Sequence, residues 1–500
     1  MRKLFAGFII IVLIGTIIRF YFIFTRDIVR DEIFYTKIAW DSSVMQIITI
    51  GHWIKDHPQL YILFLKILSS FTENIIYLRL SSVVLYIIAS YVLFYFFIKW
   101  SFGSISLLPV ALYSFIHYFI YIHSLISPFN LALFFFIVAF VIMSDFIYSQ
   151  QSRFNPPFFI ANFAFFSALI FYSDYSAIYF YLSFIPVLLM FFMKNRKKSL
   201  ILFLAFFLNF IFISPGLLQV KNNFNLFRNL NIFKEYISSA PVDFFGIFST
   251  ILFRAGKTDS TAFLLLTLAL LVIIALIGKD KKLKYLAFFS ITFWVISLVF
   301  LYIFINSFFS IFAERSFWFF YFNLIISFTT IVFFFRKHKQ VTVILLILTV
   351  TILGLRINDY RFEGPIQASI PEKNVEYRKF VEELLHNPHM KKKGKIICFN
   401  KKGACSPLVD YYLLGIGLSE GSDILNRLKK LMNEKQLIVI KSGQKLNKVE
   451  FNRKEMVVLI LFTDIDRNTV LVKQLRDKYN IRVISYKLMC NQNNCRFIEI

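Results

Sequence analysis

The chain has 500 residues, of which 58% are hydrophobic and only 17% charged, with 55 Lys and Arg against 29 Asp and Glu. That balance is too apolar for a soluble protein of this length, and its apolar residues come in long blocks, so the chain reads as a polytopic membrane protein. The net charge of +26 accompanies a bias toward Phe, Ile, Lys and Asn, with 66 Phe in all, and is not a nucleic-acid signal.

In chain order the apolar blocks predict about 11 transmembrane helices, over residues 4–24, 80–98, 105–122, 129–149, 158–173, 176–193, 199–218, 261–278, 285–306, 317–335 and 340–355. Each has roughly the 17–25 residues that cross a ~30 Å hydrocarbon layer, two of them slightly short. The first block lacks a small-x-small cleavage site and runs on into 18-IRFYFIF-24, which fits a retained anchor rather than a signal peptide.

A long external loop, 25–79, separates the first two spans and opens with the adjacent acids Asp31 and Glu32. Two readings of this pair stay open. Asp31 caps a helix beginning near Glu32, whose N-terminal dipole favours both charges, or the pair is catalytic. The two are compatible, since a capping Asp is also held rigidly. The middle of the loop, 51-GHWIKDHPQLYILFLKILSS-70, carries His52, Asp56 and His57, then an apolar helical pattern broken only by Lys66. That helix is too short to span, and is expected to lie along the membrane surface with Trp53 and Tyr61 at headgroup level.

Short basic loops set the orientation. Arg2 and Lys3, Arg153, 194-KNRKK-198, 279-KDKKLK-284 and 336-RKHK-339 all fall on one side if the spans alternate, and the positive-inside rule makes that side cytoplasmic. The N-terminus is then cytoplasmic, and loop 25–79, loop 214–260 and the tail lie outside. Loop 214–260 carries a basic cluster, Arg254 and Lys257, that either faces lipid headgroups or binds an anion. Asp174 falls at a tight external hairpin where a turn-forming Asp needs no function. His117 and His123 lie in or near the third span, either lining a cavity or satisfied by a neighbouring helix.

The chain therefore divides into a transmembrane domain, 1–355, and an extracytoplasmic tail, 356–500. Short apolar runs in the tail (395-KIICF-399, 437-LIVI-440, 456-MVVLILF-462, 481-IRVISY-486) alternate with helical patterns at 375–385 and 423–435, which predicts a soluble α/β domain. All four cysteines sit there: Cys398, Cys405, Cys490 and Cys495. Their spacing suits local disulfides in an oxidising compartment; free buried thiols and metal binding are the alternatives, though neither pair has a zinc spacing.

The DE pair at 31–32, the run 57-HPQLYILFLKILSS-70 and 78-LRLSS-82 together resemble the protein O-mannosyltransferase-like glycosyltransferases of GT-C fold. His57, Pro58, Leu60 and Tyr61 match that family's HPPLYY run, whereas Gln59 and Ser81 stand where prolines are usual. A later segment, 313-AERSFWFFYF-322, places Arg315 at the family's arginine, with Ser316 where a tyrosine is usual. At 123-HSLISPFN-130 the family's acid is absent, and Phe129 and Asn130 occupy its place.

The resemblance implies transfer of a sugar from a polyprenyl-phosphate-linked donor to a hydroxyl of a lipid, glycan or protein acceptor on the extracytoplasmic face. It puts Asp31 in the role of base, with Glu32 positioning the acceptor or the loop. The departing phosphate needs cations: Arg315 first, then His57, Lys66, Arg254 and Lys257, with Asp56 and Tyr61 structuring the loop or meeting the acceptor. No cofactor is fixed by the residues, and a divalent cation bridging the acids and the phosphate stays open. The rival expectations are a transporter or flippase of lipid-linked glycans, marked by internal repeats and polar or broken helices at mid-membrane, and an inactive scaffold relative. Partners are membrane lipids, and the location is an integral protein of the plasma or inner membrane.

Overall fold

In a computed structural model of the chain, the described residues are 2–25, 30–49, 59–72, 74–148, 155–174, 181, 185, 196–229, 257–307, 318–345 and five strands of the tail. They belong to two compact units. One comprises Met1–Phe24, Ile38–Glu73 and Tyr77–Ile366, and the other Thr25–Lys37, Asn74–Ile76 and Gln367–Ile500.

The first unit is helical. Its elements are α1 (Arg2–Thr25), α2 (Arg30–Asp41, shared with the second unit), α3 (Val44–Thr49), α4 (Gln59–Ser69), α5 (Ile75–Lys99), a 3-10 turn at Gly103–Ser106, α6 (Leu107–Phe115), α7 (His117–His123), α8 (Pro128–Tyr148), α9 (Pro156–Ser173), α10 (Arg196–Asn229), α11 (Lys257–Ile277), α12 (Lys281–Ser307) and α13 (Trp318–Phe334). Among the described residues, six helices (α1, α5, α8, α9, α10 and α13) are long and apolar enough to cross a membrane. The chain is thus a helical, membrane-embedded protein. Apart from residues 181 and 185, the predicted span 176–193 lies outside the described residues, as does most of 340–355.

Aromatic side chains make the interior. Phe136 of α8 meets Phe293 of α12 and Trp318 and Phe322 of α13, at centroid distances of 6.0, 5.2 and 4.9 Å. One layer along, Phe140 meets Phe96, Phe289 and Phe322. Within hydrocarbon, lipid tails are as apolar as the side chains, so close packing of such rings, rather than escape from water, holds helices together. The buried share of the apolar stretch is 83% in α13 but 28% in α1 and in α10. The first is central; the other two are peripheral and show outward rows such as Phe5, Ile9, Leu13 and Phe20, or Phe203, Phe207 and Phe210. Surfaces of that kind suit lipid, not water.

Polar contacts gather at the two ends of this body. At one end Lys99 pairs with Asp145 at 2.6 Å, and the Trp100 indole N–H donates to the same carboxylate. There too the Lys198 ammonium donates to the carbonyls of Phe146 and Ile147, and that of Lys284 to Leu276. These cations sit on the last carbonyls of α8 and α11, where unpaired acceptors and the helix dipole favour them. At the opposite end Arg79 donates to Ile23, Ser82 to Leu125, and the Trp318 indole to Asp174. Of the five basic segments expected on one side, Arg153 lies outside the described residues, and the other four map to the Lys99–Asp145 end.

One expectation is corrected. The third span, 105–122, is not one helix: it breaks at Ile116, which is extended (φ −62°, ψ 125°) between α6 and α7. The predicted span 199–218 lies within the longer α10, which runs on to Asn229, and α11 begins at Lys257. Pro215 lies within α10 and lacks the N–H that would bond the Ile211 carbonyl. The Ser214 hydroxyl donates to that carbonyl instead, and the Tyr172 hydroxyl donates to its neighbour Phe212, each at 2.8 Å. With those acceptors met, the proline does not stop the helix.

The second unit contains a five-stranded sheet: β1 (Gly394–Asn400), β2 (Leu437–Lys441), β3 (Met456–Leu461), β4 (Arg482–Asn491) and β5 (Asn494–Glu499), in the order β2-β1-β3-β4-β5. The first four strands run parallel, with Ile396 level with Leu437 and Val458, and Ile460 level with Tyr486. β5 turns back antiparallel on β4. Four apolar runs of the tail are therefore strands, as their β-branched content dictates, and β5 is an addition. Parallel neighbours require crossover connections; the helices expected at 375–385 and 423–435 lie outside the described residues.

Candidate functional site

The acid pair opens α2. Because that helix begins at Arg30, both acids occupy its first turn, and Asp31 is not the cap residue expected from sequence. The position still sets negative charge against the positive end of the helix dipole. Glu32 is fully buried, and its backbone carbonyl accepts a hydrogen bond from the Thr36 hydroxyl. The acids belong to the unit that contains the sheet, since Thr25–Lys37 groups with Gln367–Ile500.

Beyond α2, the short helix expected after Pro58 exists as α4. It packs against α3 and α9 and buries Tyr61, Ile62 and Leu65. Lys66 is half-buried, and its ammonium donates to the Trp40 carbonyl in the last turn of α2, at 3.1 Å. It thereby ties α4 to the helix that carries the acids. Of the remaining candidates, Lys257 is the first residue of α11, while Asp56, His57, Arg254 and Arg315 lie outside the described residues.

A second polar cluster was not foreseen. Arg19 of α1 is fully buried and donates to three backbone carbonyls: Gly15 at 2.9 Å, Ser114 at 3.0 Å and Tyr113 at 3.2 Å. The last two belong to the C-terminal turn of α6, whose hydrogen-bonding ladder stops at the Ile116 break. The guanidinium also lies 3.6 Å from the centre of the Tyr86 ring, and the Tyr86 hydroxyl bonds Ser114 Oγ at 2.7 Å. His123, at the end of α7, completes the group. Its Nε2 is 2.9 Å from the Tyr113 hydroxyl, and its Nδ1 faces the Phe119 carbonyl. A carbonyl only accepts, so Nδ1 carries the proton and Nε2 accepts from Tyr113. His123 is thus satisfied by its neighbours. A lone Arg inside 18-IRFYFIF-24 was the available signal.

Two further positions change standing. Asn130, where the family's acid is absent, is buried and donates through Nδ2 to Ser82 Oγ at 2.9 Å and to the carbonyls of Ile122 and Leu125 at 2.7 and 3.3 Å. An acceptor-only carboxylate would face those carbonyls unpaired, which explains an amide here. Asp174, expected to be a turn residue without further role, is 5% exposed and accepts the Trp318 indole N–H at 2.7 Å. It pins the end of α9 to the start of α13, three residues after Arg315 in sequence.

Among the described residues no group of three or more His, Cys, Asp or Glu comes together as a metal site. Comparison of the chain with family models, curated proteins and solved structures finds no match in any of the three.

Proposed function

We propose that the chain is a polytopic GT-C-like glycosyltransferase that moves a sugar from a polyprenyl-phosphate-linked donor to a hydroxyl acceptor at the extracytoplasmic face. One observation carries the reading. Among the described residues, the segment between the first two long apolar helices holds three short helices, the first of which carries Asp31 and Glu32 in its first turn and buries Glu32. A buried acid beside a second one, shortly after a membrane helix, is suited to meet a lipid-linked substrate.

In this reading Asp31 takes the proton of the acceptor hydroxyl as its oxygen bonds to the anomeric carbon. The bond from that carbon to the phosphate oxygen breaks, and polyprenyl phosphate departs. Its charge is met by Arg315, with His57, Arg254 and Lys257 as further cations. Lys66 contributes by fixing α4 on α2. The basic end of the helical body faces the cytoplasm, the acids and the tail face outward, and about 11 spans complete the membrane domain in a plasma or inner membrane.

The test is Asp31→Asn, assayed for sugar transfer from a panel of polyprenyl-phosphate donors in isolated membranes. Loss of a general base lowers transfer by about 10²–10⁴-fold, while expression and insertion stay normal. Transfer at the wild-type rate would reduce Asp31 to a first-turn acid that stabilises its helix.

A second reading, a transporter of lipid-linked glycans, is favoured by two observations: the break at Ile116 and the buried Arg19 beside it. Purified protein in liposomes that moves a labelled lipid-linked sugar between leaflets, yet transfers none, would establish it over the enzyme and over a scaffold.

A further inference from the structure

The C-terminal sheet brings two of the four cysteines within bonding reach of each other. Cys490 of β4 and Cys495 of β5 are directly opposite each other, one pair in from the closing pair Asn491 and Asn494. Directly opposed residues of an antiparallel ladder share a face, with Cα atoms about 4.5–5.5 Å apart. That separation lies inside the range a disulfide spans.

Cys398 is excluded by the same register. It is level with Ile460, which is level with Tyr486, so Cys398 stands two strands from β4 and four residues short of Cys490. At about 4.8 Å per strand and 3.3 Å per residue the gap is roughly 16 Å, far beyond the ~7 Å limit.

We infer that Cys490 and Cys495 form a disulfide that closes the β4–β5 hairpin. The turn itself supplies a reason. The sequence between the paired Asn491 and Asn494, Gln-Asn, lacks the Asn-Gly or Gly-containing pair that fixes a two-residue turn. Such a hairpin has a weakly specified register at an edge strand, where a slip of one residue would exchange the faces of β5. A covalent link one pair from the turn removes that freedom.

The link forms by exchange with the disulfide of a thiol oxidoreductase. The Cys490 thiolate attacks one sulfur of that disulfide, giving a mixed disulfide, and the Cys495 thiolate then displaces the oxidoreductase as its dithiol. Two electrons leave the hairpin in this way, and the two thiol protons end on the oxidoreductase dithiol. The inference rests on the extracytoplasmic placement of the tail, not on the transfer reaction.

Intact cells are treated with N-ethylmaleimide before lysis, and the full-length protein is purified without reductant and digested with trypsin. The fragment Leu488–Arg496 holds both cysteines. The expected result is a fragment two hydrogens lighter than its reduced form and free of maleimide. Maleimide on both cysteines overturns the inference, as does a link from either one to Cys398 or Cys405. In the alkylated case, full-length protein purified without maleimide is exposed to oxidised glutathione before digestion: closure of the pair would place the error in the compartment, and failure to close would place it in the register.

Discussion

Arg19 shows how one side chain can decide a local fold. Its guanidinium supplies donors to α6 carbonyls that the Ile116 break leaves without helical partners. A carbonyl in hydrocarbon has no water to turn to. Charge-assisted hydrogen bonds contribute about 1.5–3 kcal/mol each where their loss orphans a buried group. Arg19→Leu is therefore expected to lower stability by about 3 kcal/mol, read as a fall in the melting midpoint in detergent. Arg19→Lys, with a point charge in place of the fork, recovers only part. An unchanged midpoint in Arg19→Leu would mean that the break stands without its cation. Gly15 belongs to the same device: a Cβ there would fall on the Tyr86 hydroxyl oxygen and press on Ser114 Cβ at 3.1 Å. Overpacking of this sort costs about 1–3 kcal/mol, so Gly15→Ala should destabilise. Adding Tyr86→Phe should return part of the loss, since it removes the atom struck. Additive losses in the double variant would place the strain elsewhere.

At the scale of helices, what could be read from sequence was whatever depends on composition alone. The long apolar blocks are helices because hydrocarbon leaves the backbone no other partner, and four apolar runs of the tail are strands because their residues favour an extended chain. The break in the third span had no local signal: nothing in 113-YSFIHYF-119 forbids a helix, and its cause sits on α1. Asn130 and Asp174 were likewise opaque, because their partners Ser82, Ile122 and Trp318 are distant in sequence. Pro215 is a similar case: α10 runs on past it because Ser214 and Tyr172 donate to the Ile211 and Phe212 carbonyls. A double-mutant cycle tests that account. Ser214→Ala should cost about 0.5–1.5 kcal/mol beside Pro215 and close to nothing beside Pro215→Ala, where the restored N–H bonds Ile211 itself. Equal costs in both backgrounds would show that the hydroxyl does not replace the proline's absent donor.

Over the whole molecule, the division of the chain differs in kind from a membrane half followed by a tail. The unit that holds the sheet also takes in Thr25–Lys37 and Asn74–Ile76, so the chain enters it and returns before the first long loop is complete. No composition shift marks this, since the unit groups segments that are far apart in sequence. It has a consequence for activity. A chain ended after Ile366 keeps every residue proposed for the transfer reaction and all six long apolar helices. If the acid-bearing segment depends on the rest of its unit, that chain should insert normally yet transfer no sugar. Trypsin should then cut at Arg30 and Lys37 in the shortened protein but spare them in the full one, because an unfolded segment opens to protease. Cleavage at those sites reads the loss of order directly, separately from any assay of the reaction. A truncated chain that resists cleavage there and transfers at the full rate would show that the acids hold their place without the tail, and would confine the site to the membrane domain.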